Sequence, residues 1–239
     1  MQTDVSSSER RAAATTAPRA CVNCGAPQIG AWCPHCGQRQ LTGRHTLRGL
    51  LRSIADRVFN MEGGLTRTVI DLTIRPGRMI REYLGGRTVP YMHPVAYLLV
   101  ATGAFALSAQ LVGGTANTPE GDGIFFLLVI PFVALASRVV FLRGRYNYAE
   151  HLIGIMYLIA HALLGLAVLY LATRYISGPF LGWYVAASLA AAGIYCLWGF
   201  SGLFPDRRIV AALAGVVALA VGAIGWLVAL AWVVSWLRR

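Results

Sequence analysis

The stretch HLIGIMYLIAHALLGLAVLYLAT, residues 151–173, runs for 23 positions without an acid or an arginine. A bilayer core of roughly 30 Å is crossed by about 20 such residues at 1.5 Å rise each, so this segment predicts a membrane-spanning helix. Similar runs at 94–112, 123–142, 180–204 and 209–237 bring the expected count to five. The fold class expected is therefore an all-α polytopic membrane protein, with a body over 94–239. The last run is 29 residues long, more than a perpendicular span needs. It has the length to tilt or turn back, which leaves a six-segment topology open.

Composition agrees with that reading. Of 239 residues 56% are hydrophobic and 13% charged, about half the charged share of a soluble protein, and the mean hydropathy is +0.58. Such apolar content excludes a disordered polyelectrolyte and most soluble folds. All 21 basic residues are Arg, and 13 of them precede position 94 beside six acids, so a basic head of net +7 is joined to an apolar body.

The head divides further. Residues 1–20 are rich in Ser, Thr, Ala and Arg without an apolar run, and are expected to form a disordered tail. No signal peptide is recognisable ahead of the first span. Over 21–40 come Cys21-Val-Asn-Cys24-Gly25 and Cys33-Pro-His-Cys36-Gly37. Two CxxC turns let four thiolates approach one ion tetrahedrally, and the Gly after each pair permits a tight turn. The expectation is a small zinc ribbon holding one structural Zn²⁺ on Cys21, Cys24, Cys33 and Cys36. Rubredoxin-type iron and paired disulfides are the alternatives. His35 reads as a surface residue. A closed four-thiolate site leaves no open coordination position, which favours a structural or partner-docking role over catalysis.

Residues 41–93 read as amphipathic, Arg-rich helices lying on the membrane surface. Leu47, Leu50, Leu51, Ile54 and Val58 form one stripe over 46–59. Further helices are expected over Leu65–Ile74 and from Pro76 to Gly85-Gly86, the latter with Met79, Ile80, Tyr83 and Leu84 to one side. Arg67, Arg75, Arg78, Arg81 and Arg87 crowd this segment, where each basic residue near an anionic headgroup contributes about 1 kcal/mol. Membrane lipid is therefore an expected partner. A small helical domain packed on itself is the competing reading. Nucleic acid is disfavoured, because interleaved aromatics and a reading helix are missing.

Orientation follows the placement of Arg. With the N-terminus in the cytosol, 18 Arg fall inside against Arg174, Arg238 and Arg239 outside, so a multi-pass protein of a bacterial inner membrane with a cytosolic head is expected. Within the body, Gly182/Ala186/Ala190 and Ala214/Ala218/Gly222 have the spacing of close helix packing, and a homo-oligomer is open to such a chain. Glu150, Tyr157 and His161 fall within about 20° of one line on the third span. Polar groups at that depth are costly, so the three are a candidate polar path. No nucleophile triad, phosphate loop or zinc-protease helix is recognisable, which speaks against an enzyme.

The chain carries in order the motifs Cys21-x2-Cys24-Gly25, Cys33-x2-Cys36-Gly37-Gln38, Thr66-Arg67-Thr68-x2-Asp71-Leu72, Arg75-Pro76-Gly77-x2-Ile80-Arg81-Glu82-Tyr83-Leu84, Tyr91-x-His93-Pro94 and Tyr146-Asn147-Tyr148-Ala149-Glu150-His151. On them the chain resembles a bacterial membrane-protein family catalogued as Domain of Unknown Function 3667, over roughly positions 20–155. The resemblance implies a zinc ribbon joined to several spans in a bacterial inner membrane, and no reaction. The function expected is a non-enzymatic scaffold or regulatory protein whose cytosolic ribbon docks a protein partner. The alternative is a small transporter or lipid-handling protein using the Glu150–His161 stripe.

Overall fold

The computed structural model describes residues 19–28, 30–40, 43–51, 64–113, 121–141, 145–204 and 208–237. The expected tail up to residue 18, most of the 46–59 helix, the loop at 115–120 and the Arg238–Arg239 pair lie outside these residues. The described chain is mostly helical. Two short strands, β1 (Arg19–Ala20) and β2 (Pro27–Gln28), are followed by α1 (Leu65–Ile74), α2 (Pro76–Leu84), α3 (Pro94–Leu111), α4 (Gly121–Val140), α5 (Tyr148–Ala172), α6 (Pro179–Ser201) and α7 (Arg208–Leu237).

Proline sets several of these boundaries. Pro76, Pro94 and Pro179 each open a helix, where a missing N–H costs nothing. Pro76 also disfavours helical backbone at the residue before it, so Arg75 turns to φ −147° and α1 stops at Ile74. α2 ends at Gly85-Gly86, the second at φ 102°. The result is a helical hairpin whose tip, Arg75–Gly77, meets the end of α6. A Cβ on Gly202 would stand 3.0 Å from Gly77 Cα, so only glycine allows the approach.

Each of the five apolar runs is one helix. The last of them, α7, is a single 30-residue helix and does not turn back. α3, α5 and α6 are long and apolar enough to cross a membrane, while the described apolar portions of α4 and α7, Val129–Val140 and Arg208–Gly222, are shorter. α5 is the hub, packing on α3, α4 and α6 and receiving the α1–α2 hairpin; α7 lies against α4 and α6.

Burial changes along α5. From Ala149 to Ala160 nearly every position is enclosed, but beyond His161 only Leu163 and Ala167 are buried. The first three turns are thus sheathed by a cap made of α1, α2 and the segments around them, and the rest presents one stripe to the bundle. Counting about 20 residues back from the exposed Tyr175 reaches the region of Ile155. A hydrocarbon layer of that thickness would leave Glu150 and His151 outside it and His161 about 9 Å within it.

The two small-residue stripes differ. Ala214, Ala218 and Gly222 pack inward, and a Cβ on Gly222 would come within 2.7 Å of Val133 Cα. Gly182, Ala186 and Ala190 instead face outward, because α6 leans on α5 through another face, with Gly199 against Leu158. The packing expected of that stripe is not made among the described residues.

Candidate functional site

Each Cys pair sits in its own hairpin. β1 and β2 pair antiparallel, Arg19 with Gln28 and Ala20 with Pro27, around the first; a bridge between Trp32 and Arg39 brackets the second. The turns repeat one another. Gly25 N donates to Cys21 O and Gly37 N to Cys33 O, both at 2.9 Å, with the glycines at φ 77° and 68°, a region most side chains avoid.

The hairpins bring the four sulfurs together. All lie within 4.8 Å of one another, and Cys21–Cys36 and Cys24–Cys33 are each 3.6 Å apart. A tetrahedral ion with metal–sulfur bonds of about 2.3 Å holds its sulfurs roughly 3.8 Å apart, so the set fits a metal ion. No disulfide links them. The backbone N–H of Cys24 pulls the Cys21 thiol down to about 6. The Ala26 N–H also lowers Cys24, but desolvation and the crowding sulfurs outweigh it and push that thiol up to about 12. Four thiols this close resist ionising together, and a cation removes the conflict. His35 is exposed and outside the cluster.

The ribbon is fastened to the membrane cap by Gln38, which is fully buried. Its amide nitrogen donates to Gly86 O at 2.7 Å and Arg39 O at 2.8 Å and lies 3.3 Å from Thr88 Oγ1; its oxygen accepts from Thr88 N and Val89 N, both at 3.1 Å. Asn23, inside the first CxxC, accepts from Arg87 Nε at 3.2 Å. Sequence reasoning gave neither residue a role. Asn23 lies between Cys21 and Cys24 and Gln38 directly after Gly37, and neither position names a partner 50 or more residues away.

Arg87 leads into an ion network centred on the buried Asp71 and the half-buried Glu82. Its Nη1 donates to Glu82 Oε2 at 3.0 Å, Arg78 Nε donates to Glu82 Oε1 at 3.0 Å, and the Tyr91 hydroxyl lies 2.9 Å from Glu82 and 3.0 Å from Asp71. Asp71 accepts from Arg67 Nε at 2.8 Å and from Arg75 Nε and Nη2 at 3.1 and 2.8 Å. Burial alone would raise the Asp71 pKa, but the bonds from Arg75, Arg67 and Tyr91 outweigh it and hold the carboxyl below its usual range. Glu82 follows the same balance. Of the five arginines expected at the headgroups, Arg67, Arg75, Arg78 and Arg87 are thus engaged with acids, and Arg81 has no ion pair among the described residues.

The three stripe residues lie on one side of α5, each with a different partner. Glu150 is bound by Arg44 and also accepts from Asn147 N at 2.8 Å, while Asn147 Oδ1 accepts from Glu150 N at 3.0 Å, a reciprocal cap on the start of α5. Asn147 Nδ2 donates to His45 O at 2.9 Å, so the segment leaving the ribbon is clasped to the helix. The Tyr157 hydroxyl donates to Met92 O. His161 meets Tyr97 OH through Nδ1 at 2.7 Å and Thr73 Oγ1 through Nε2 at 3.1 Å. His151, unassigned from sequence, meets Ser137 Oγ at 2.9 Å.

Residues 62–105, which include α1, α2 and the first turns of α3, match the model of a family described as "Protein of unknown function (DUF3667)". That agrees with the resemblance carried by the sequence motifs. No curated protein and no solved structure matches the chain.

Proposed function

We propose that the protein is a non-enzymatic adaptor of a bacterial inner membrane, with five spans, whose zinc-loaded ribbon docks a protein partner in the cytosol. The supporting observation is the mounting of the ribbon. Gln38 and Asn23 spend one face on the protein's own cap, while Val22 and Trp32 on the ribbon stay 59% and 58% exposed, with the Arg39 guanidinium 5.8 Å over the Trp32 ring. A rigid, outward-facing aromatic beside a cation is the kind of anchor that protein interfaces use. Transport along Glu150, Tyr157 and His161 is the weaker reading, since each of those groups is engaged by a separate segment.

A photo-crosslinking residue at position 32 in living cells should give one discrete adduct with a protein, and the same probe at position 177, on the far side of the bundle, should not. Loss of that adduct in a Cys33→Ser background would tie it to the folded ribbon. Absence of any adduct from position 32 refutes the adaptor.

Orientation is proposed from charge. The described arginines lie in the ribbon and the segment leaving it, in the cap, or at the helix ends beside the cap, and among them Arg174 alone marks the other end. An impermeant maleimide applied to intact cells should therefore label Ser177→Cys and spare Arg145→Cys until the membrane is permeabilised. The reverse pattern inverts the topology.

A further inference from the structure

We propose that the groove between α3 and α6, floored by the C-terminal half of α5, binds one phospholipid of the leaflet opposite the cap, with its phosphate at Arg174. α3 and α6 both pack on α5 without comparable contact with each other, and between them lies a space of about 150 Å³. Phe105 forms one wall, Val185 and Leu189 the other, and Leu166, Leu169 and Tyr170 the floor.

Three hydroxyls along the groove are turned onto backbone carbonyls. The Tyr184 hydroxyl donates to Leu169 O at 2.8 Å, Ser188 Oγ to Tyr184 O at 2.9 Å and Thr173 Oγ1 to Tyr170 O at 2.6 Å. Water entering would find few partners, whereas a hydrocarbon chain would find a carbon-lined wall. Leu169, Val185 and Leu189 are exposed, so the groove opens sideways from the bundle, as an acyl chain requires.

Its depth and mouth identify the rest of the ligand. Tyr175, Phe180 and Trp183, exposed at the α5–α6 turn, place that turn at the headgroup level. From Thr173 the groove runs inward past Leu166, about 10 Å by helical rise. Arg174 sits beside that mouth, and its Nη1 is tied to Leu111 O at 2.9 Å, which steadies the guanidinium; among the described residues its other N–H groups have no hydrogen-bond partner and can meet a phosphate. A free apolar molecule would have no use for that cation, and a soluble anion none for the groove. The two features together fit a phospholipid.

The test uses the full chain in phosphatidylcholine vesicles doped with a phosphatidylglycerol that carries a photoreactive acyl chain. Adducts should concentrate on Leu166–Tyr170 and Val185–Leu189, several-fold above the exposed Val216, Val217 and Val221 of α7, which serve as lipid-facing controls. Leu189→Trp should fill the groove and abolish that excess, while Val217→Trp leaves it unchanged. Arg174→Gln, a substitution at an exposed site, should lower groove labelling about fivefold, the effect of one basic residue near an anionic headgroup. Groove labelling no higher than on α7, or labelling that neither Leu189→Trp nor Arg174→Gln reduces, overturns the proposal.

Discussion

Cys33→Ser is expected to empty the metal site and to detach the ribbon from the membrane cap. Cys33 is the most enclosed of the four thiols, and among the described residues of the ribbon the other buried side chains are Cys21, Gln28 and Gln38. So little enclosed surface cannot hold the hairpins by itself. Coordination supplies the difference, and for structural zinc it is worth about 10 to 16 kcal/mol at neutral pH. Removing one thiolate should take metal content from one zinc per chain to near zero. Gln38 hangs on the second knuckle, so the bonds to Gly86, Thr88 and Val89 should open with it. Hydrogen exchange would read this as lost protection over 19–40 and at the Thr88 and Val89 amides, with the helices of the body unchanged. Metal-free wild-type protein carrying two disulfides would defeat the expectation.

How far such coupling could be foreseen depends on where each residue's partner lies in the chain. The ends of α1 and α2 are visible in the sequence because local chemistry sets them: Pro76 before, Gly85-Gly86 after, and an apolar side made by Met79, Ile80 and Tyr83. The five body helices are visible because hydrocarbon demands long apolar runs. The cysteine cluster follows from two short spacings. The destination of the hairpin is different. Thr73 meets His161 and the Tyr195 hydroxyl donates to Leu72 O at 3.0 Å, contacts across 88 and 123 positions that no local pattern encodes.

The same reason explains the arginines. A run of basic residues ahead of a span suggests lipid headgroups, and only the folded hairpin brings Arg67, Arg75, Arg78 and Arg87 onto Asp71 and Glu82. Helical periodicity places Glu150, Tyr157 and His161 on one side of α5, as observed. It is silent on who answers them: Arg44 from the segment leaving the ribbon, Met92 from the loop before α3, and Tyr97 and Thr73 from two more helices. A polar residue on a span is legible as a cost; what offsets the cost is tertiary.

Asp71→Ala should be among the most damaging single changes in the cap. One carboxylate there accepts three guanidinium bonds and lies within reach of the Tyr91 hydroxyl, and its removal sets Arg67 and Arg75 against each other with nothing between. Breaking a buried ion pair on one side typically costs 3 to 5 kcal/mol; with Arg67 still 52% exposed, about 3 kcal/mol is expected. Asp71→Asn keeps the shape and loses the charge, so it should cost less, about 1.5 kcal/mol. Arg67→Ala should cost least, about 0.5 kcal/mol, because an exposed member of a pair contributes little. The pH dependence has a definite sign. A carboxyl whose folded pKa is depressed adds stability that is present above its unfolded pKa, near 3.9, and lost as pH falls through the lower folded value. Wild-type protein in mild detergent should therefore lose cap stability below about pH 4, and Asp71→Asn should lose less of it over that interval. Thermal unfolding followed by hydrogen exchange over α1 and α2 distinguishes the outcomes: equal losses for Asp71→Ala and Arg67→Ala, or the same acid sensitivity in Asp71→Asn as in wild type, would show that this carboxylate does not hold the hairpin together.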